Sequence, residues 1–294
     1  MPDSEGAKDE LMPPVLERAD VGRVRVLRLS RPPVNSLGLA LREALARELN
    51  EADADAQTDA VVLAASGRGF SAGGDLSEFG TPAHGASPTL ALHLQPQVEA
   101  LRKSVIAALH GFAMGGGFEL ALACHYRVAH TDTRLALPEV EHGLIPPSGS
   151  QRLPRAIGAA AALELMLAPM RTSAGKLNEA AVKAGYDPLF DRCSSNDPVN
   201  EALALVDELG DSIRTPEIFG ARLLRHRAVP ADEAERALAL ALALQSLEPG
   251  PLYPARVACI EAVRAACESA FDIGLREAWL RFEALNEARV QLSP

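Results

Sequence analysis

Aromatic side chains are scarce: they make up 4% of the 294 residues, with one Trp, three Tyr and eight Phe. Any core is therefore built mainly from Ala, Leu and Val. Hydrophobic residues still reach 48%, which excludes disorder throughout. Cysteine is scarce too. Cys124, Cys193, Cys259 and Cys267 form no C-x-x-C pair, so a zinc knuckle or thioredoxin-like motif has nothing to start from, and reduced structural thiols are expected. Positive charge is in deficit, 29 Lys and Arg against 39 Asp and Glu, a net of −10. That speaks against a general grip on nucleic acid, which needs clustered cations, and any anionic ligand must be met locally. Apolar runs such as Ala237 to Leu244 fall far short of the roughly 20 residues of a membrane span. The first ten residues carry four acids and no apolar stretch, so a loose tail over residues 1–12 and a soluble cytoplasmic protein are expected. No G-x-G-x-x-G follows a strand, which leaves nicotinamide chemistry without a footing.

What is present is a strand and helix rhythm. Val24, Val26 and Leu29 among Arg25 and Arg28 suit a strand with one face toward solvent. It ends at Arg31-Pro32-Pro33. Leu41, Leu45, Leu49 and Ala52 recur at helical spacing with Arg42, Glu43, Arg47 and Glu48 between them. The run from Ala60 to Ala65, and again from Val105 to Leu109, has no polar residue, which predicts strands covered on both faces. Each leads into a glycine-bearing loop and a helix start, the βαβ rhythm of an α/β fold. The segment Pro82 to Pro88 reads as a surface loop. Beyond Gly158 the texture is Ala and Leu at helical spacing, broken at Pro169, Pro188, Pro198, Pro230 and Pro254. Ala237 to Leu244, preceded by the charged run Asp232 to Arg236, is read as helix. The expected organisation is a core over residues 13–200 and a helical region over 201–294, with no fixed-period repeat.

Two glycine loops could carry chemistry. Gly67-Arg-Gly-Phe-Ser-Ala-Gly-Gly-Asp75 and Gly111-Phe-Ala-Met-Gly-Gly-Gly-Phe-Glu119 both follow apolar strands, and the second opens a helix whose first amides would attract a negative oxygen. One such loop alone can be a mere connector. Two on neighbouring strands can each aim one N–H at a single carbonyl oxygen, the geometry of an oxyanion hole. Two carboxylates accompany them: Glu119 among Phe118, Leu120, Ala121 and Leu122, and Glu139 after Leu137-Pro138. An acid on an apolar helix face is rare unless paired or functional, and burial would raise the pKa of either toward neutrality. His110, His125 and His142 lack partners at ligand spacing and read as packing or surface residues rather than metal ligands. Trp279 and Phe282 read as packing residues of a C-terminal helix.

Arg31-Pro-Pro-Val-Asn-Ser36, Gly69-Phe-Ser-Ala-Gly-Gly-Asp-Leu76, His110-Gly-Phe-Ala-Met-Gly-Gly-Gly-Phe-Glu-Leu-Ala-Leu122, and Leu137-Pro-Glu-Val140 with Gln151-Arg-Leu-Pro154 stand in this order along most of the chain. Together they resemble the enoyl-CoA hydratase/isomerase, or crotonase, family. Cys124-His-Tyr-Arg-Val-Ala129, Asn196-Asp-Pro-Val199 and Gly274-Leu-Arg-Glu-Ala-Trp-Leu-Arg-Phe282 resemble the hydratase half of bifunctional hydratase/dehydrogenases.

The resemblance implies an α/β crotonase-like spiral of ββα units with a helical C-terminal region, and reversible hydration of a trans-2-enoyl-CoA. It implies Gly74 and Gly116 as oxyanion donors to the thioester, and Glu119 and Glu139 as an acid/base pair of which many family members lack one or both. Arg31, Arg68, Ala72, Gly74, Asp75 and Leu76 would contact CoA, which belongs to the substrate; no metal or separate cofactor is implied. A trimeric or hexameric homo-oligomer, without nucleic acid or membrane, completes the expectation. Δ3,Δ2-enoyl-CoA isomerisation or other enolate chemistry, and acyl-CoA binding without turnover, are the alternatives. One departure stands out: the family's Pro-Gly-x-Gly-Gly-Thr loop, whose glycine amide helps hold the catalytic water, here reads Ile145-Pro-Pro147-Ser-Gly-Ser150 and is one residue shorter. Pro147 has no N–H to give.

Overall fold

Strands free of polar residues need cover on both faces, and the computed structural model provides it. It describes residues 14–167, 171–229, 231–244 and 249–292. The tail expected over residues 1–12 and the breaks at Pro169 and Pro230 lie outside them. The strands are β1 (Leu16–Val21), β2 (Val24–Leu29), β3 (Ala60–Ala65), β4 (Ser104–Leu109), β5 (Phe112–Met114), β6 (Tyr126–His130), β7 (Arg134–Ala136), β8 (Thr172–Ser173) and β9 (Arg192–Ser194). Six form one sheet in the order β1-β2-β3-β4-β6-β9, parallel except for the β1–β2 hairpin. The short β5, β7 and β8 make a second sheet.

The helices are α1 (Leu39–Ala54), α2 (Pro82–Gly85), α3 (Gln95–Ala100), α4 (Gly116–Ala123), α5 (Gly149–Arg152), α6 (Pro154–Ile157), α7 (Ala159–Leu167), α8 (Ala174–Lys183), α9 (Pro198–Leu209), α10 (Pro216–Gly220), α11 (Ala231–Leu244), α12 (Tyr253–Glu268) and α13 (Phe271–Leu292). A repeating unit is visible: β4, β5 and α4, then β6, β7 and α5, each placing one strand in the large sheet, one in the small sheet and a helix behind. Ser71, in the loop after β3, bridges Ala113 of β5 in the same manner.

Alternation along β3 divides the interior. Val61, Leu63 and Ala65 join the larger core with α1 and α4, while Ala60, Val62 and Ala64 face α9 through Ala202, Leu205 and Val206. With α9 on one side and α1 on the other, the expectation of a solvent-facing side for β2 fails. Arg25 is only 2% exposed and pairs with Asp20 at 3.2 Å and Asp55 at 2.8 Å, so its charge is neutralised inside the fold. Arg42, expected among the polar residues of α1, is buried as well and pairs with Glu78 at 3.1 Å.

The readings of β3, β4, α1, α11 and a mostly helical chain beyond Gly158 agree with the structure. Two loops differ. The run from Gly111 does not pass straight into a helix, because Phe112–Met114 first pairs with β7. The segment Pro82 to Pro88 contains α2 and brings His84 to the wall of a cavity. All four cysteines are free thiols. Burial pushes the pKa of Cys124 up to about 12, which keeps it an unreactive thiol. No helix among the described residues is long and apolar enough to cross a membrane.

Candidate active site

The two glycine loops meet because β5 lies beside the loop that follows β3. Phe70 N–H donates to Phe112 O at 2.8 Å, and Met114 N–H to Ser71 O at 2.9 Å. At Gly73 (φ +98°) a Cβ would stand 2.9 Å from Met114 O and 3.0 Å from Gly116 N, so the backbones touch only because this residue has no side chain. Neighbouring amides are engaged: Ala72 N–H by Val34 O, Gly115 N–H by Ala136 O, and Gly73 N–H by Ser71 Oγ. The N–H groups of Gly74 and Gly116 have no acceptor among the described residues. Gly116 is also the first residue of α4, whose dipole adds positive potential there. Two free donors therefore lie side by side at the wall of a cavity of about 390 Å³, the size of a small-molecule site.

Glu119 sits one turn into α4 and is 3% exposed. Its Oε1 accepts from Ser148 N–H at 2.9 Å and Gly149 N–H at 2.7 Å. Pro147 contributes no donor, but the two amides after it are spent on the carboxylate itself. Burial raises the pKa of Glu119, opposed by the Gly149 amide, the charge of Arg152 and Ser148. Glu139 opens the 3-10 turn Glu139–His142 across the cavity. Its Oε1 lies 2.7 Å from where a Cβ of Gly115 would be, and its enclosed Oε2 has no hydrogen-bond partner. Burial, and then the charge of Glu119, push its pKa well above the ordinary carboxylate range. Both pKa values are therefore raised; donors to Glu119 oppose the rise, whereas no side chain or second amide does so at Glu139 Oε2.

Ala72, Gly74, Asp75, Leu76, Gly116, Glu119 and Glu139 all line the cavity. Arg31 and Arg68 do not. Arg31 bonds Ser36 Oγ and pairs with Asp75 at 2.6 Å, bracing the first glycine loop. Burial works to raise the pKa of Asp75, but hydrogen bonds from Ser77 and Arg31 outweigh it and hold the carboxyl low. Arg68 is exposed on the same loop. Of the histidines, His110 bonds Gly67 O, and His125 is buried with Nδ1 accepting from Val105 N–H. His142 lines the cavity. No cluster of metal-ligating residues occurs among the described residues.

The outer wall is built by side chains that nothing in the sequence marks individually as lining a pocket. Phe79, His84, Trp279 and Phe282 line the cavity from α2 and its approach and from α13. Trp279 stacks on Phe282 at 5.4 Å, and Phe282 meets Phe79 at 6.1 Å and His84 at 5.8 Å. His84 Nε2 lies 3.4 Å from Glu283 Oε1; burial lowers the His84 pKa against the pull of Glu283. Trp279 and Phe282 therefore pack a C-terminal helix, as expected, and also roof the pocket.

The sequence profile of the enoyl-CoA hydratase/isomerase family matches residues 21–215. The peroxisomal bifunctional enzyme of Danio rerio is 37% identical over 244 residues, 83% of this chain and 32% of that protein. The chain thus spans about a third of the length of the curated relatives of this kind. A probable enoyl-CoA hydratase of Bacillus subtilis is 43% identical over 149 residues, 49% of this chain and 57% of that one. Among solved structures, the enoyl-CoA hydratase of Bacillus anthracis superposes with a TM-score of 0.59 at 26% identity, covering 92% of this chain and 90% of that one. The fold is the crotonase-type α/β fold with a helical C-terminal region, and the chain belongs to the enoyl-CoA hydratase/isomerase family.

Proposed function

We propose that this chain catalyses reversible syn hydration of a trans-2-enoyl-CoA to a 3-hydroxyacyl-CoA. The observation that carries the reading is the pair of glutamates, Glu119 buried and Glu139 half-buried with its Oε2 enclosed, beside two adjacent unpaired amides. The thioester oxygen accepts from the N–H groups of Gly74 and Gly116. This polarises the conjugated system, makes C3 electrophilic and stabilises the enolate that forms; one such donor is typically worth about 2.7 to 4 kcal/mol in the transition state. Glu119, with Oε1 fixed by two amides, has its other oxygen available to take a proton from water as that water attacks C3. Glu139, disposed to keep its proton, delivers it to C2. The exchange is balanced: water supplies OH to C3 and H⁺ to Glu119, and Glu139 supplies H⁺ to C2. Asp75 and Leu76 border the route of the pantetheine arm, and exposed Arg68 is the cation available to the CoA phosphates. The relatives named as hydratases and bifunctional enzymes support the same reading.

The test is a spectrophotometric assay with crotonyl-CoA and longer 2-enoyl-CoAs. Loss of the conjugated-thioester absorbance is expected. No loss at any chain length overturns the reading. Conversion of 3-enoyl-CoA to 2-enoyl-CoA without hydration would then favour an isomerase, and calorimetric binding without turnover would favour a binding module.

A further inference from the structure

Beneath the cavity floor runs a chain of charged side chains that the hydration step does not touch. Arg152 of α5 is fully buried, with Nε 2.9 Å and Nη2 2.8 Å from Glu99 Oε1 of α3. Glu99, its side chain 2% exposed, accepts at Oε2 from Arg225 at 3.0 Å, and Arg225 reaches Asp272 at the start of α13 at 2.6 Å. The ring of Phe271 faces the guanidinium groups of Arg152, Arg155 and Arg225 at 5.0, 5.3 and 5.0 Å. Gln151, in the same turn as Arg152, donates to Ala262 O of α12 at 2.7 Å. Burying ionised groups this deeply is no efficient route to stability, since apolar residues of similar volume often do as well or better. What the chain does fix is the place of α5, and α5 begins at the amides that hold Glu119.

We propose that Glu99, gripped between Arg152 and Arg225, is a positioning residue for the hydration reaction: it locks α5, and through α5 the Glu119 carboxylate, to the C-terminal helices that roof the pocket. The proposal rests on the hydratase reading. The charged groups that face Glu119 are Arg152 from α5 and Glu139 from the 3-10 turn, with Glu99 behind Arg152 on α3; β5 and the rest of α4 bring none. Removing Glu99 frees the positive charge of Arg152 to act on Glu119, whereas removing Arg152 withdraws it. The two changes therefore push the titration of Glu119 in opposite directions, which loosened packing alone does not do.

The experiment measures kcat and KM for crotonyl-CoA against pH in Glu99→Gln, Arg152→Met and Glu99→Asp. A kcat loss of about tenfold or more in the first two is expected, because slight misplacement of a reacting group is costly, with KM changed less than about twofold. The acidic limb of kcat moves to lower pH in Glu99→Gln and to higher pH in Arg152→Met, and Glu99→Asp recovers part of the rate. Should Glu99→Gln or Arg152→Met not fold, Arg225→Gln leaves the Arg152–Glu99 pair in place, and its limb is expected to move to higher pH. Unmoved limbs, or limbs that move in the same direction in Glu99→Gln and Arg152→Met, overturn the proposal. If the wild-type chain hydrates nothing, the hydratase reading fails by itself. The coupling is then read from ¹³C carboxyl titration of Glu119 in the same variants, with the same opposite displacements expected and their absence overturning it.

Discussion

Glu119 and Glu139 are one residue type in one cavity, separated by what their oxygens touch. Glu119 spends Oε1 on two amides, whereas Glu139 Oε2 is enclosed and touches no donor. The difference has a thermodynamic signature. Burial, then the Glu119 charge, raise the folded-state pKa of Glu139 above its ordinary value near 4.5. The unfolded chain releases this proton first, so the stabilisation present below pH 4.5 is lost as pH rises toward the folded-state pKa. Glu139→Gln cannot ionise. We expect its Tm, measured relative to wild type by scanning calorimetry, to be more favourable at pH 8 than at pH 4, while kcat falls steeply and acyl-CoA affinity changes little. A Tm difference independent of pH would show that Glu139 is not held protonated by the fold, and an unaltered kcat would remove it from the reaction.

At the scale of elements, the N-terminus of α4 does the positioning. Gly115 precedes it at φ +50°, and a Cβ there would stand 2.7 Å from Glu139 Oε1. Gly115→Ala therefore combines a strained backbone of about 1 to 3 kcal/mol with displacement of the acid. Loss of kcat by about 100-fold is expected, with far-ultraviolet circular dichroism unchanged; a variant within threefold of wild type would mean that Glu139 tolerates the shift. Elements of this kind were largely legible. β3 and β4 announce themselves because a strand covered on both faces must be apolar throughout, and Gly67–Asp75 and Gly111–Glu119 are visible as glycine turns after such strands. β5, β7 and β8 were not, since two or three residues carry no periodicity and exist only through partners distant along the chain. Arg25 misled for a related reason: an arginine in a strand signals solvent unless two aspartates meet it, and only the fold brings Asp20 and Asp55 there. The aromatic roof was hidden likewise, because Phe79 and Phe282 meet only after α13 folds back across the cavity.

Across the whole molecule, the buried ionisable groups oppose one another as pH falls. His125 lies at 0% exposure, accepts from Val105 N–H at 3.0 Å, and places its ring edge-on against Phe219 of α10 at 4.7 Å, joining the sheet to the C-terminal helices. Burial first, and then the nearby Arg127, lower its pKa from 6.5 to about 3. In the window between those values the unfolded chain binds a proton that the native chain refuses. His125 therefore gives full stability above pH 6.5 and loses it as pH falls toward 3. Over the window this amounts to on the order of 5 kcal/mol, a large share of the stability of an ordinary domain. Glu119 and Glu139 act in the opposite sense, since acidification relieves their burial. His125→Asn keeps an acceptor for the Val105 amide and cannot titrate. Urea unfolding between pH 7 and pH 4 should give a variant that is less stable at pH 7, through lost packing, yet declines more gently toward pH 4 than wild type. Parallel declines would show that the imidazole is already charged in the folded chain, and that acid sensitivity originates in other groups.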